Sequence, residues 1–323
     1  MRNILVIGSA GQIGSELVVE LRKRYPHGNV VAGIRKTRPP REVLEAGPVE
    51  TIDVTNSTQI YEAVKKHHID TIYNLAALLS VVAEERPLDA WHVGIDGLLN
   101  VLEVARECRC SVFTPSSIGA FGPSTPHDNT PQDTLQRPKT IYGISKVAGE
   151  LISDYYCERY GVDTRSVRYP GIISNVTPPG GGTTDYAVEI FYAALKEKKF
   201  VCPLEAGTYL DMMYMPDCLQ AAIQLMEADS ERLKHRNSFN VTAMSFAPEM
   251  VEAEIRKHIP DFEMVYRVDS VKQKIADSWP NKMDDSCARE EWDWRPRYDL
   301  AMMSRDMLTV LGRKKEKGNL SGS

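Results

Sequence analysis

The sequence has no apolar run approaching the roughly 18 residues that a membrane-spanning helix needs. It also lacks a basic excess. Its 39 Lys and Arg stand against 44 Asp and Glu, a net charge of −5 mixed along the chain. That excludes the electropositive footprint of a nucleic-acid binder and a polybasic membrane patch. The six cysteines, at 108, 110, 157, 202, 218 and 287, are scattered and lack the Cys-x-x-Cys spacing of a zinc site. They read as reduced thiols of a reducing, cytoplasmic compartment, and no metal is expected. No leader peptide is expected either, because "MRNILVIGSAG" opens a strand almost at residue 1. There is no internal repeat. The polar stretch "RKKEKGNLSGS" at 313–323 is expected to be a disordered, frayed tail.

What is present is a regular alternation. Apolar runs at 3–8, 29–33, 49–53, 71–77, 111–116 and 164–171 are separated mostly by helix-like stretches at 12–24, 57–67, 87–106 and 141–160. Strands separated by helices predict a parallel sheet, because a parallel connection must cross over. The expected class is therefore α/β, a doubly wound parallel sheet occupying residues 1–171. Beyond "SNVTPPGGGTTDY" (174–186) the pattern turns irregular. Residues 172–312 are expected to form mainly a smaller C-terminal α/β lobe over the carboxyl ends of the strands. The chain can cross that boundary more than once, and Pro178–Pro179 resembles a hinge.

"VIGSAGQIGSEL" places Gly8, Gly11 and Gly14 between a predicted strand and a predicted helix. Gly8 permits a tight turn, Gly11 lets backbone amides near a pyrophosphate, and Gly14 lets the helix approach the sheet. The helix start, at Gln12 and Ile13, offers open N–H groups and a positive dipole to phosphates. The second strand lacks the terminal acid that would hold the adenosine ribose hydroxyls. It ends in Gly33, Ile34, Arg35 and Lys36. Arg35 suits adenine stacking or a 2′-phosphate, so NAD and NADP both stay open on physical grounds. Asp53 suits the adenine amino group with Val54 beside the ring, or a turn before "NSTQI".

"TIYGISK" puts Tyr142 and Lys146 four residues apart on one helix face. "FTPSSIGAFG" puts Ser116 and Ser117 at the end of a predicted strand, on the same edge as the glycine turn. These residue types serve proton transfer coupled to hydride transfer. An isolated tyrosine, with a pKa near 10, is a poor base near neutrality. A neighbouring ammonium favours its phenolate, and a serine hydroxyl can hold the substrate oxygen.

In that order, "GSAGQIG", "NLAA", "SSIGAFG" and "YGISK" resemble the extended short-chain dehydrogenase/reductases, whose fold is a Rossmann-type doubly wound sheet. The resemblance runs over nearly the whole chain. It implies Tyr142 as general base, Lys146 as its activator and ribose ligand, and Ser117 as the substrate-orienting hydroxyl. It implies NAD as cofactor. Leu75, Ala76 and Ala77 would line the cleft, and Tyr169, Pro170 and Ile172 would meet the nicotinamide end. Where the family usually has Asn, this chain has Gly94, so the associated proton relay is not expected in its usual form. Within that family, "AALLS", "PGIISNVTPPGGGTTDYA", "MMYMPDC", "IADSWP" and "DDSCAREEWDW" resemble the L-threonine 3-dehydrogenases.

That resemblance implies oxidation of the C3 hydroxyl of L-threonine to 2-amino-3-oxobutyrate, in a homodimer built through 87–106 and 141–160. The residues agree. A zwitterion needs donors and acceptors, and the backbone of Gly182, the hydroxyls of Ser80, Thr183 and Thr184, and Asp185 supply them. Trp279 can pack on the methyl group and exclude water. "MMYM" reads as a buried strand. Two other readings are a nucleotide-sugar epimerase or dehydratase with tightly held NAD, and a non-catalytic cofactor-binding redox sensor. The intact Ser117–Tyr142–Lys146 set argues against the sensor.

Overall fold

Short β-branched runs bounded by turns make the strands of the first half: β1 (Ile4–Ile7), β2 (Val30–Ile34), β3 (Val49–Thr51), β4 (Thr71–Asn74), β5 (Ser111–Phe113), β6 (Ser116–Ser117) and β7 (Thr164–Arg165). The computed structural model describes residues 1–178 and 182–318. Six of these strands form one parallel sheet, ordered β3-β2-β1-β4-β5-β7. The connections carry α1 (Gln12–Arg24), α2 (Arg41–Glu45), α3 (Ser57–Lys66), α4 (Ser80–Glu85), α5 (Pro87–Trp91), α6 (Gly97–Cys108) and α7 (Ile141–Tyr160). Successive β1 side chains alternate between two apolar cores, Ile4 and Val6 on one face, Leu5 and Ile7 on the other. Strand order reverses between β1 and β4, which opens a crevice at their carboxyl ends.

The second half contributes β8 (Val167–Tyr169), β9 (Gly171–Ile173), β10 (Lys199–Cys202), β11 (Leu210–Tyr214), β12 (Phe239–Asn240), β13 (Met244–Phe246) and β14 (Glu263–Tyr266). Its helices are α8 (Tyr186–Lys196), α9 (Met215–Glu227), α10 (Pro248–Arg256), α11 (Ser270–Ala276), α12 (Ser286–Trp292) and α13 (Leu300–Glu316). β11 lies between β9 and β13, β8 lies between β6 and β12, and β10 pairs with β14. Tyr186, Phe191, Phe246, Phe262 and Met307 anchor a third apolar core. The chain also returns to the first half. α9 packs on α1, and Trp292 and Trp294 join Phe239 and Val167 in a core shared with β1. Among the described residues no helix is long and apolar enough to cross a membrane.

Several elements differ from expectation for identifiable reasons. The run at 164–171 is cut into β7, β8 and the start of β9, which serve three different sheets. Pro170, lacking an N–H, stands at one cut. The helix expected over 87–106 contains a π-helical turn at His92–Asp96, which includes Gly94. β4 stops at Asn74 rather than 77, and α2 and α4 are too short to show a period. All of β11 is buried, as expected for "MMYM". The tail expected from 313 is helical to Glu316, because Lys314 and Lys315 reach the carbonyls of Asn175 and Leu195. Residues 319–323 lie outside the described residues.

Candidate active site

The turn after β1 begins at Gly8, whose φ of +85° suits only glycine readily. A Cβ there would stand 3.0 Å from the Leu75 carbonyl carbon. On Gly14 it would come within 2.2 Å of the Gly8 carbonyl oxygen, and on Gly11 within 3.3 Å of the same atom. The three glycines let turn, helix and β4 end close on one another. Gly11 is the N-cap of α1 and gives no side-chain cap, so first-turn amides remain available to an anion.

Around this turn lies a cavity of about 500 Å³, lined by Gly8, Gly11, Gln12, Ile13 and Gly14 and, opposite, by Leu75, Ala76 and Ala77. An adjoining cavity of about 250 Å³ shares Gly8, Gly11 and residues 75–77 and is walled by Arg35, Asp53 and Val54. Arg35 Nη1 stands 3.8 Å from Asp53 Oδ2. Asp53 Oδ1 accepts from Thr55 N and Oγ1 at 3.0 and 2.8 Å. Burial raises the Asp53 carboxyl, but the Thr55 bonds with Arg35 and His92 outweigh it and hold its pKa below the usual value. Asp53 is thus both a turn acid and a cavity wall.

Beyond β5 the two serines part. Ser116 Oγ donates to the Glu150 carboxylate. That buried carboxylate receives Arg168 Nε at 3.0 Å and Nη2 at 2.8 Å. Arg168 Nη1 continues to Gln132 O and Asn240 Oδ1 at 2.8 and 3.1 Å. Ser117, which lines the larger cavity beside Ser116, has its Oγ accepting from Gly119 N at 3.1 Å. A Cβ on Gly119 would meet the Tyr142 ring at 3.2 Å and Ser117 Oγ at 3.5 Å, which marks where the two converge. A Cβ on Gly143 would strike Gly119 O at 2.1 Å, so α7 presses directly on that turn.

α7 owes its start to Thr140, whose Oγ1 accepts from Gly143 N at 3.0 Å, and its end to left-handed Gly161. One turn beyond Tyr142, Lys146 Nζ donates to Pro115 O at 2.8 Å and lies 5.4 Å from the Tyr142 ring centroid. Phenol and ammonium share a cavity wall rather than an open helix surface.

Gly182, Thr183, Thr184, Asp185 and Trp279 line the other side of the larger cavity, with Ser80 at the start of α4. Asp185 Oδ2 accepts from Gly182 N at 2.8 Å, which fastens the loop. Thr183 Oγ1 is buried without a hydrogen-bond partner among the described residues. Trp279 belongs to the same apolar core as Tyr186 and Phe246, so it is core and wall at once. Tyr169, Pro170 and Ile172 also line the cavity, Tyr169 giving its hydroxyl to Cys218 O at 2.8 Å. Pro179, Gly180 and Gly181 lie outside the described residues, and with them half of the hinge expected at Pro178–Pro179.

The family model described as NAD dependent epimerase/dehydratase matches residues 4–242. The chain belongs to that family. A member from Staphylococcus saprophyticus, named an uncharacterized epimerase/dehydratase, is 52% identical over 98% of this chain and 99% of its own. The solved L-threonine dehydrogenase of Clostridium difficile shares 53% identity, with a TM-score of 0.96 and 99% of each chain covered. That of Phytophthora infestans shares 46% identity, with a TM-score of 0.92 over 97% of this chain and 99% of its own.

Several cavity residues of this epimerase/dehydratase member escaped the reading of its sequence. Asn74 and Thr114 line the larger cavity, their side-chain oxygens buried and without hydrogen-bond partners among the described residues. Their signal was position, at the carboxyl ends of β4 and β5. Glu150 and Arg168 gave no signal, since a charge in a helix and one in a strand do not announce each other. Gly94 sits in the π turn, where a Cβ would meet nothing nearer than Ser145 Oγ at 3.7 Å.

Proposed function

We propose that this protein oxidises L-threonine at C3, with NAD as hydride acceptor, to 2-amino-3-oxobutyrate. The observation that carries the reading is the convergence of Ser117 and Tyr142 over Gly119, one helical turn from Lys146, inside the cavity. The similarity to L-threonine dehydrogenases over nearly the full length supports the substrate.

The residues present fit NAD. The glycine turn leaves backbone room that a Cβ would fill, α1 offers uncapped amides, and the unpartnered Asn74 and Thr114 oxygens stand ready for polar groups. Gly8, Gly11, Gln12, Ile13 and Gly14 would hold the pyrophosphate, Arg35, Asp53 and Val54 the adenosine, and residues 75–77 with Tyr169, Pro170 and Ile172 the nicotinamide side. When bound, NAD supplies the acceptor for the hydride that leaves threonine C3. Tyr142 takes the hydroxyl proton, Ser117 holds the hydroxyl oxygen, and Lys146 stabilises the anionic phenol and reaches the ribose.

Residues 172–312 act mainly as the substrate lobe. Gly182, Thr183, Thr184, Asp185 and Ser80 engage the carboxylate and ammonium, and Trp279 excludes water. Lys146 is the only Lys or Arg among the described residues lining the larger cavity. A diphosphate-sugar substrate calls for more positive charge than that, which disfavours the epimerase reading.

L-threonine and NAD⁺ should yield NADH, read by its absorbance, with NADP⁺ in a parallel arm. Tyr142→Phe should lose about 10²–10⁴-fold in kcat. Undiminished turnover by the variant would remove the assigned base, and net-neutral conversion of a nucleotide sugar without NADH release would favour the epimerase.

The working form is a homodimer in a reducing cytoplasm. α5 packs on α7, and together they expose Leu88, Trp91, Leu151 and Tyr155. A second copy would cover that face. Sedimentation should give twice the chain mass, and Leu151→Lys should shift it toward the monomer.

A further inference from the structure

Cys287 and Glu291 lie one turn apart on α12 and face His235, which follows α9 in the chain. The donor atoms of the three lie within 4.8 Å of one another. Glu291 fixes the imidazole. Its carboxylate receives His235 Nδ1, and its other oxygen takes the amides of Lys234 and His235 at 2.5 and 3.1 Å. His235 Nε2 then points to Cys287 Sγ at 3.9 Å and to Asp133 Oδ2 at 3.7 Å. We propose that Cys287, His235 and Asp133 bind a zinc ion, with Glu291 orienting the histidine from behind.

A tetrahedral zinc, with Zn–N and Zn–S near 2.0 and 2.3 Å, sets nitrogen and sulfur about 3.6 Å apart and nitrogen and oxygen about 3.3 Å apart. The two separations from Nε2 need contraction of only a few tenths of an ångström, and the Asp133 carboxylate, 89% exposed, must swing toward Cys287 to close the third side. A carboxylate behind the imidazole is the usual companion of a zinc-bound histidine. A thiol nucleophile, the other use of a Cys–His–Glu trio, calls for positive surroundings. Here Asp284, Glu290 and Glu291 all bear on the sulfur, a field that suits a cation.

None of the four residues lines the cofactor cavities. The ion would instead join three segments: α12, the loop after α9, and the chain beside Gln132. Gln132 itself bonds Ser238 O and Asn240 N at 2.9 and 2.8 Å. The site is therefore a clamp on the frame behind Arg168, independent of which substrate the cavity takes.

The test is titration of chelator-treated protein with Co²⁺ and then Zn²⁺. One cobalt per chain should give four-coordinate visible bands and a near-ultraviolet thiolate charge-transfer band, both erased by zinc. Cys287→Ser should remove the charge-transfer band. Asp133→Asn, at a side chain 89% exposed, should keep the fold and weaken zinc by about tenfold or more. Zinc should raise the melting temperature of the parent and not that of Cys287→Ser, and threonine oxidation should stay unchanged in both variants. Absence of the bands, a band retained by Cys287→Ser, or unchanged zinc affinity in Asp133→Asn would overturn the proposal.

Discussion

Ser116 gives its hydroxyl to a buried carboxylate, while its neighbour Ser117 turns toward Tyr142. Alternation along a strand separates them, so their substitutions should separate as well. On the proposed mechanism Ser117→Ala should cost about 10²-fold in kcat/KM, because the hydroxyl assigned to the reacting oxygen is lost. Ser116→Ala should leave kinetics near the parent and lower stability by about 1 kcal/mol, since Glu150 keeps Arg168. Steady-state rates and urea midpoints read both. Glu150→Ala should be far worse, about 3–5 kcal/mol, because it strands the Arg168 guanidinium in the interior. The Tyr142–Lys146 pair was legible in the sequence because four residues make one helical turn. The choice of Ser117 over Ser116 came from resemblance. What separates the two serines physically is the Glu150–Arg168 pair, which engages Ser116 and whose members come from separate elements.

Among the elements, α1 and α7 run over the residues that sequence periodicity indicated, because each has a strong boundary: glycines before α1, Thr140 and Gly161 around α7. The helix through Gly94 was legible only as helix. Its π turn packs against α7, a contact that no local pattern encodes. Two glycines make the contrast measurable. Gly14→Ala forces a methyl group onto the Gly8 carbonyl oxygen at 2.2 Å, so it should abolish NAD binding by calorimetry and lower the melting temperature. Gly94→Ala brings a methyl group only into ordinary contact with Ser145 Oγ at 3.7 Å, without positive φ, and should stabilise by about 0.5–1 kcal/mol, with binding retained. A destabilised Gly94→Ala would mean that the turn needs glycine for its backbone.

For the whole molecule, Asp211 links pH to stability. Burial pushes its carboxyl up to about 7, against bonds from Thr242 and the Met283 amide. The unfolded chain releases this proton near 3.8, so the stability the proton confers is complete below that value and lost as pH rises through about 7. Urea midpoints should fall across that window. Asp211→Asn should flatten the fall, because an amide can give to Thr242 and accept from Met283. The doubly wound sheet was legible from alternating runs and helices. A crossing back to the first half was expected, but not that α9 and α12 make it, since Trp292 and Trp294 look alike whichever core receives them. The Arg168 guanidinium carries a temporal consequence. It ties the Ser116 strand to Gln132 and to Asn240, which lies far downstream. On the ribosome, the footing under Ser116 and Ser117 stays unfinished until β12 has emerged and docked, so a nascent chain halted earlier has its glycine turn and its Tyr142 but no settled strand end to face them.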